Sequence, residues 1–195
     1  MPALVRSVVA VVLLTAIFGF AYPAVMTGFA QVAFHHEAQG SLVERNGRVV
    51  GSELAAQAFT WPRYFHPRPS ATAPAYNAGA TTFANLGPTN PDLATFVHEQ
   101  ALAVLKLERP YNPGLTIGDI PVDAVTTSGS GIDPDISIAN AHLQERRVAA
   151  VRHLPLAVVR SLVKENTDGR SLGFLGEPGV NVLRLNLALD RLGAK

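Results

Sequence analysis

The sequence predicts a mixed α/β (α+β) domain carried on one N-terminal transmembrane helix. Three observations point there. Residues 8–25, "VVAVVLLTAIFGFAYPAV", form an apolar run in which only Thr15 and Tyr22 carry a polar side-chain atom. Residues 90–110 and 137–153 read as capped helices. Asn46-Gly47 between two short apolar runs, and the alternation over residues 180–189, read as strand signals. The chain has 195 residues, 48% hydrophobic and only 16% charged, a balance too apolar for disorder.

The apolar run sets the organisation. About 18 such residues lie near the lower limit for a helix that crosses a bilayer. The flanks, residues 3–5 and 26–30, are mostly apolar and lengthen it. This places a transmembrane helix at about 8–26, within an anchor of residues 1–34, followed by a soluble domain of residues 35–195. Arg6 precedes the run and no Lys or Arg follows until Arg45. The positive-inside bias then puts the N-terminus in the cytoplasm and the domain outside. A cleaved signal peptide is the competing reading, because Gly19-Phe20-Ala21 fits a small-x-small cleavage pattern. The length of the run, and Pro23 just past that cut, favour an uncleaved anchor. No polar face interrupts the run, which argues against a buried core helix.

The elements follow in order. Asn46-Gly47 suits a tight hairpin turn, with strands at 41–44 and 48–50. Ser52 is placed to cap a short helix reaching residue 58. Residues 60–79, "TWPRYFHPRPSATAPAYNAG", hold four prolines and fit neither a regular helix nor a central strand. Such a loop is either functional or tucked into its own domain through Trp61, Tyr64 and Phe65. Asn90 suits an N-cap, Pro91 the first helical position, and Asp92 the positive end of the dipole. Leu93, Phe96, Val97, Ala101, Val104 and Leu105 then make one apolar stripe, and Pro110 stops the helix. A strand is expected over 122–125, a helix capped by Ser137 over 138–153, and another over 155–165. Residues 180–189 read as a strand with a possible helical end.

Charge and motifs exclude several classes. The net charge is +1 with no cysteine, so disulfides, thiol catalysis and Cys-type zinc sites are out. Residues 37–120 carry six Lys/Arg against seven Asp/Glu, and residues 121–195 carry nine against eight. No basic face marks a nucleic-acid partner. "TTSGSGIDPDIS", residues 126–137, lacks the Lys-Ser/Thr of a phosphate loop and offers Asp133 and Asp135 instead. It also lacks the third glycine and the frame of a dinucleotide fingerprint. "HEQAL" has Leu102 where a zincin helix needs histidine. His66 stands alone among prolines. "GSG" at 129–131 is too short for a nucleophile elbow. Gln144 shares a helical face with Ala141, Val148 and Val151, so this amide needs buried partners.

Together these pieces resemble the KdpC family, the C subunit of the bacterial high-affinity potassium-transporting P-type ATPase. The resemblance rests on "GSLV" (40–43), "VGSELAAQAF" (50–59), "YFHPRPSA" (64–71), "YN" (76–77), "NLGPTNP" (85–91), "TSGSGIDPDIS" (127–137), "RVA" (147–149) and "GEPGVNVLRLNLALD" (176–190). Phe83-Ala84 and Asp135 depart from the pattern of the family, which usually has Gly-Ser and His there. The resemblance implies a non-catalytic accessory subunit of the bacterial plasma (inner) membrane. It implies two partners, a channel-like potassium-translocating subunit and an ATP-hydrolysing subunit, with membrane lipid around the anchor. Potassium is the ion that the complex carries. A catalytic-chaperone role in raising ATP affinity is also implied, with Ser128, Gly129, Ser130, Gly131 and Gln144 as nucleotide contacts. The residues themselves conflict with direct ATP contact, because the charge bias places the domain outside; coupling through the assembled subunits is the reading they favour. On that reading Asp133 and Asp135 would serve to gather cations near the potassium entrance. The alternative from another class is a stand-alone anchored or secreted binding or hydrolytic domain.

Overall fold

One apolar helix, Ala3–Ala33, opens the chain in the computed structural model, which describes residues 2–193. The chain divides into two compact units, Met1–Val49 and Val50–Lys195. In the first unit the helix is built from α1 (Ala3–Leu14), a π-helical turn (Thr15–Ala21) and α2 (Tyr22–Ala33). It outruns the expected span of 8–26 because nothing in its flanks breaks a helix. Its 31 residues give a rod of about 46 Å at 1.5 Å per residue, against a hydrocarbon core of about 30 Å. None of its apolar side chains is buried within the protein. Pro23 accounts for the π-helical turn: it has no N–H, and its ring collides with the carbonyl four residues back. The widened turn carries the Tyr22 N–H to the Ile17 carbonyl, five residues back. A short helix, α3 (His35–Ala38), follows.

The hairpin of β1 (Leu42–Arg45) and β2 (Arg48–Ser52) turns where the sequence placed it. Asn46 and Gly47 both take positive φ, 54° and 71°, as a two-residue hairpin turn requires. The helix expected after Ser52 does not form. The Ser52 hydroxyl does accept from the Leu54 N–H at 3.1 Å. The Ala56 N–H, however, goes to the Ile132 carbonyl at 2.8 Å, and that long-range bond keeps the turn after Ser52 from continuing as a helix.

The second unit is mixed helix and sheet. Helix α4 (Pro91–Glu108) begins as expected, with Asn90 Oδ1 accepting from the Asp92 N–H at 2.8 Å. Its predicted stripe packs through Val97, Ala101 and Val104 against Ala124, Val125 and Ile120. Residues 122–125 are not a strand. Val122–Ala124 form a 3-10 turn because Asp123 is consumed in capping the next helix. Its carboxylate accepts from the Ser137 N–H and hydroxyl, each at 2.8 Å, and from Asn140 Nδ2 at 3.0 Å. That helix, α5 (Ile138–Arg152), has its Ser137 cap and ends at His153 in the left-handed region. Helix α6 (Leu156–Glu165) follows Pro155.

A small antiparallel sheet is formed by β3 (Asp135–Ile136), β4 (Thr167–Asp168) and β5 (Gly179–Asn181), with β5 in the middle. Asp135 faces Asn181 on one side of it, and Thr167 faces Val180 on the other. Of the strand with a possible helical end expected over 180–189, the strand is confined to β5 and the helical end is the longer part, α7 (Val182–Leu192). Two signals hid in the alternation. Asn181 Oδ1 caps by accepting from the Arg184 N–H at 3.1 Å. Val182, Leu185 and Leu189 also fit helical spacing, and all three are buried. They close the core with Phe65, Ile136, Val148, Val159, Val163 and Val180.

Candidate functional site

The proline segment is held by side chains that act as neighbouring strands would. Asn186 on α7 accepts from the Phe65 N–H at 2.8 Å and donates to the Phe65 carbonyl at 2.9 Å. Gln144 on α5 does the same to the next residue, accepting from the His66 N–H at 2.8 Å and donating to its carbonyl at 3.1 Å. Gln144 also donates to Asn140 Oδ1 at 2.9 Å and accepts from Arg147 Nη2 at 2.8 Å. Both ends of this buried amide are therefore engaged. Phe65 and His66 gain ladder-like bonds without a partner strand.

Arg147 is the hub. Its side chain is 0% exposed. Nη1 donates to the carbonyls of Pro62 and Tyr64, the latter at 2.8 Å, and Nε donates to Glu108 Oε1 at 2.7 Å. Arg152 extends the clamp, donating to the Arg63 carbonyl at 2.6 Å and to Asp190 at 2.8 Å, with its guanidinium 4.9 Å above the Tyr64 ring. Of the two readings open for residues 60–79, the structure shows a segment pinned into its own domain. Phe65 is fully buried, Tyr64 is half-buried, and Trp61 stays 68% exposed.

Burial tunes two groups here. It pushes the Glu108 carboxyl above its ordinary value, with Arg147 opposing, and Glu108 Oε2 has no partner among the described residues. Burial, then the Arg147 charge, lowers His66 from 6.5 to about 4, and its neutral ring donates from Nε2 to the Trp61 carbonyl at 3.1 Å. A lowered histidine leaves the unfolded chain to take the proton first. Its stability contribution is whole above pH 6.5 and lost as pH falls to about 4. Discounting for partial exposure, the loss is about 2 kcal/mol. His66→Asn should therefore flatten the fall in urea midpoint between pH 7 and pH 4.5, measured on the chain in detergent. Glu108 works in the opposite sense above its ordinary value and cancels when variant and parent are compared.

The glycine loop is a turn closed on itself. Ser128 Oγ accepts from the Gly131 N–H at 2.9 Å, and Ser130 Oγ from the Ile132 N–H at 3.2 Å. The Gly131 carbonyl accepts from the Ser70 hydroxyl at 2.6 Å, and the Ser130 carbonyl from the Thr82 N–H at 3.2 Å. Arg68 donates to Asp133 at 3.0 Å and to the Thr127 carbonyl at 3.2 Å. The Asp133 charge is thus already met. Burial, then the charges of Asp133 and Asp168, push the half-buried Asp135 carboxyl up. This pair is a poorer gatherer of cations than the bare sequence suggested.

The candidate residues fall in two places. Ser128 and Gly129 line an open groove of about 470 Å³ with Phe83, Leu86, Leu93 and Phe96. Gln144 lines a separate cavity of about 40 Å³ with His66, Glu108 and Asn140. Ser130 is exposed and Gly131 is buried in the same turn. Among the described residues, no three His, Asp or Glu side chains converge as metal ligands. Sequence reasoning found Gln144 by its apolar helical face. The same signal marks Arg147, three residues on, and Asn186 within "VLRLNLAL", but both were passed over.

Comparison with known proteins bears on the whole chain. Residues 4–191 match the family model described as KdpC: K+-transporting ATPase, c chain. A potassium-transporting ATPase KdpC subunit of Methylococcus capsulatus is 54% identical over 179 residues, 91% of this chain and 92% of the relative. The protein of that name in Mycobacterium tuberculosis is 51% identical over 178 residues, again 91% and 92%. That of Gemmatimonas aurantiaca is 52% identical over 194 residues, 99% of this chain and 92% of the relative. With an apolar N-terminal helix, a mixed domain behind it and similarity along nearly its full length, the chain belongs to the KdpC family, the c chain of the K+-transporting ATPase.

Proposed function

We propose that this accessory subunit of the potassium-transporting ATPase complex is a non-catalytic, single-pass scaffold. Its N-terminus lies in the cytoplasm, its domain lies outside, and it holds the potassium-translocating and ATP-hydrolysing subunits together. The observation that carries this reading is the pairing of an apolar 31-residue helix with a domain in which buried Gln144, Arg147 and Asn186 brace its own segment 62–66. A body braced in this way serves as a rigid contact surface. Protease added outside intact spheroplasts tests the topology. Digestion of the domain is the expected result; protection until the membrane is opened would overturn it.

The catalytic-chaperone effect on ATP affinity is assigned to coupling through the assembled subunits. Direct contact through Ser128, Gly129, Ser130, Gly131 and Gln144 would require Gln144 to give up bonds to His66, Asn140 and Arg147. Gln144→Ala strips both partners from the His66 backbone and should cost about 2 kcal/mol of domain stability. Its effect on the ATP requirement of the pump should follow the fraction of complex assembled. Saturable binding of an ATP analogue to the chain alone, lost in Gln144→Ala, would establish direct contact instead.

A further inference from the structure

The π-helical turn in the anchor leaves a polar group where lipid offers it nothing. In an α-helix the Phe18 carbonyl would accept from the N–H of residue 22; in a π-helix, from that of residue 23. The Tyr22 N–H is directed to the Ile17 carbonyl, and residue 23 is proline, which has no N–H. Both helical donors for the Phe18 carbonyl are therefore gone. This carbonyl lies near the middle of the helix Ala3–Ala33, at hydrocarbon depth once the helix spans a bilayer. Unpaired backbone groups are not left facing lipid; around proline they are re-satisfied by neighbouring helices, hydroxyl side chains, ordered water or local adjustment of the helix.

The surroundings admit such a neighbour. Thr15, Gly19 and Pro23 follow one another at four-residue steps, so one face carries no long side chain. A Cβ placed on Gly19 would meet only the Thr15 methyl, at 3.7 Å, so the backbone beside Phe18 is open to close approach. Small residues of this kind let helices pack closely in membranes, and hydroxyl or amide side chains bond across them. Between Ser7 and Ala33 no acidic or basic side chain stands to serve as an internal partner.

We propose that the anchor carries a polar latch: the Phe18 carbonyl, exposed beside Gly19, accepts a hydrogen bond from a hydroxyl or amide side chain on a transmembrane helix of another chain of the complex. This rests on the spanning, subunit reading above. The test is co-purification in mild detergent from membranes that make all chains of the complex. Pro23→Ala restores the missing N–H and gives the carbonyl a partner within its own helix. Gly19→Leu keeps the proline and covers the notch. Each should reduce the recovery of the other chains several-fold, while Val12→Leu, elsewhere on the exposed helix, should not. Recovery at the parent level for both variants would overturn the latch and leave the subunit reading standing. A parent chain that recovers no other chain would sink the subunit reading and the latch with it. Crosslinking of Gly19→Cys only to a second copy of this chain would also overturn the latch as stated.

Discussion

Replacing Arg147 with alanine is expected to destabilise the domain by about 3–5 kcal/mol, the usual cost of removing one partner from a buried ion pair. Two consequences combine. The Glu108 carboxylate, 2% exposed at its side chain, loses the cation that offsets its burial. The carbonyls of Pro62 and Tyr64 and one lone pair of Gln144 lose their donor. Arg147→Lys should recover only part of the loss, because an ammonium cannot span the same fork of acceptors. Combining Arg147→Met with Glu108→Leu should be milder than Arg147→Ala alone, since the stranded charge goes with the arginine. Urea midpoints for the three variants decide it; a double variant no better than Arg147→Ala would assign the damage to the carbonyls instead.

Gly131→Ala should be the next most damaging change, at about 3 kcal/mol from backbone strain and overpacking together. Gly131 sits at φ +72°, and a Cβ there would lie 2.5 Å from the Thr82 carbonyl oxygen and 2.9 Å from the Thr72 methyl. The first contact is with backbone and has no flexible end to move. Gly129, two residues earlier in the same quoted "GSG", meets nothing within 4 Å and has no positive φ. Gly129→Ala should therefore stay within about 0.5 kcal/mol of the parent. Thermal unfolding of the two variants side by side separates a turn built on one glycine from a loop needing both. Equal losses would contradict this account.

What could be read in advance depended on how locally each feature is encoded. The α4 start was legible because Asn90, Pro91 and Asp92 declare it within three residues, and the hairpin because Asn46-Gly47 does. The strand expected at 122–125 failed for a distant reason: Asp123 answers to Ser137 and Asn140. The 180–189 reading, a strand with a possible helical end, held in kind but not in proportion: Leu and Val at those positions satisfy both periods, and only the Asn181 cap sets where the strand gives way to the helix. At the candidate site, Gln144 was visible from its own helix. Its target was not, since His66 lies 78 positions away. Arg147 and Asn186 grip carbonyls and N–H groups that every residue possesses, so no motif at residues 62–66 advertises them. The prolines there are compatible with the grip for one simple reason: the N–H groups used belong to Phe65 and His66, between Pro62 and Pro67.

That grip also orders events at the ribosome. Phe65 and the side chain that pairs with its backbone are separated by 121 positions. At about 5–20 residues per second of synthesis, the segment around Phe65 is made roughly 6–24 s before Asn186 exists. During that interval Phe65 lacks the amide that pairs with its backbone and the Leu185 and Leu189 side of its core, and its N–H and carbonyl are open to pairing with other chains. The nascent domain is therefore most vulnerable just before its last helix emerges, and a stop codon ahead of residue 186 would leave it in that condition permanently.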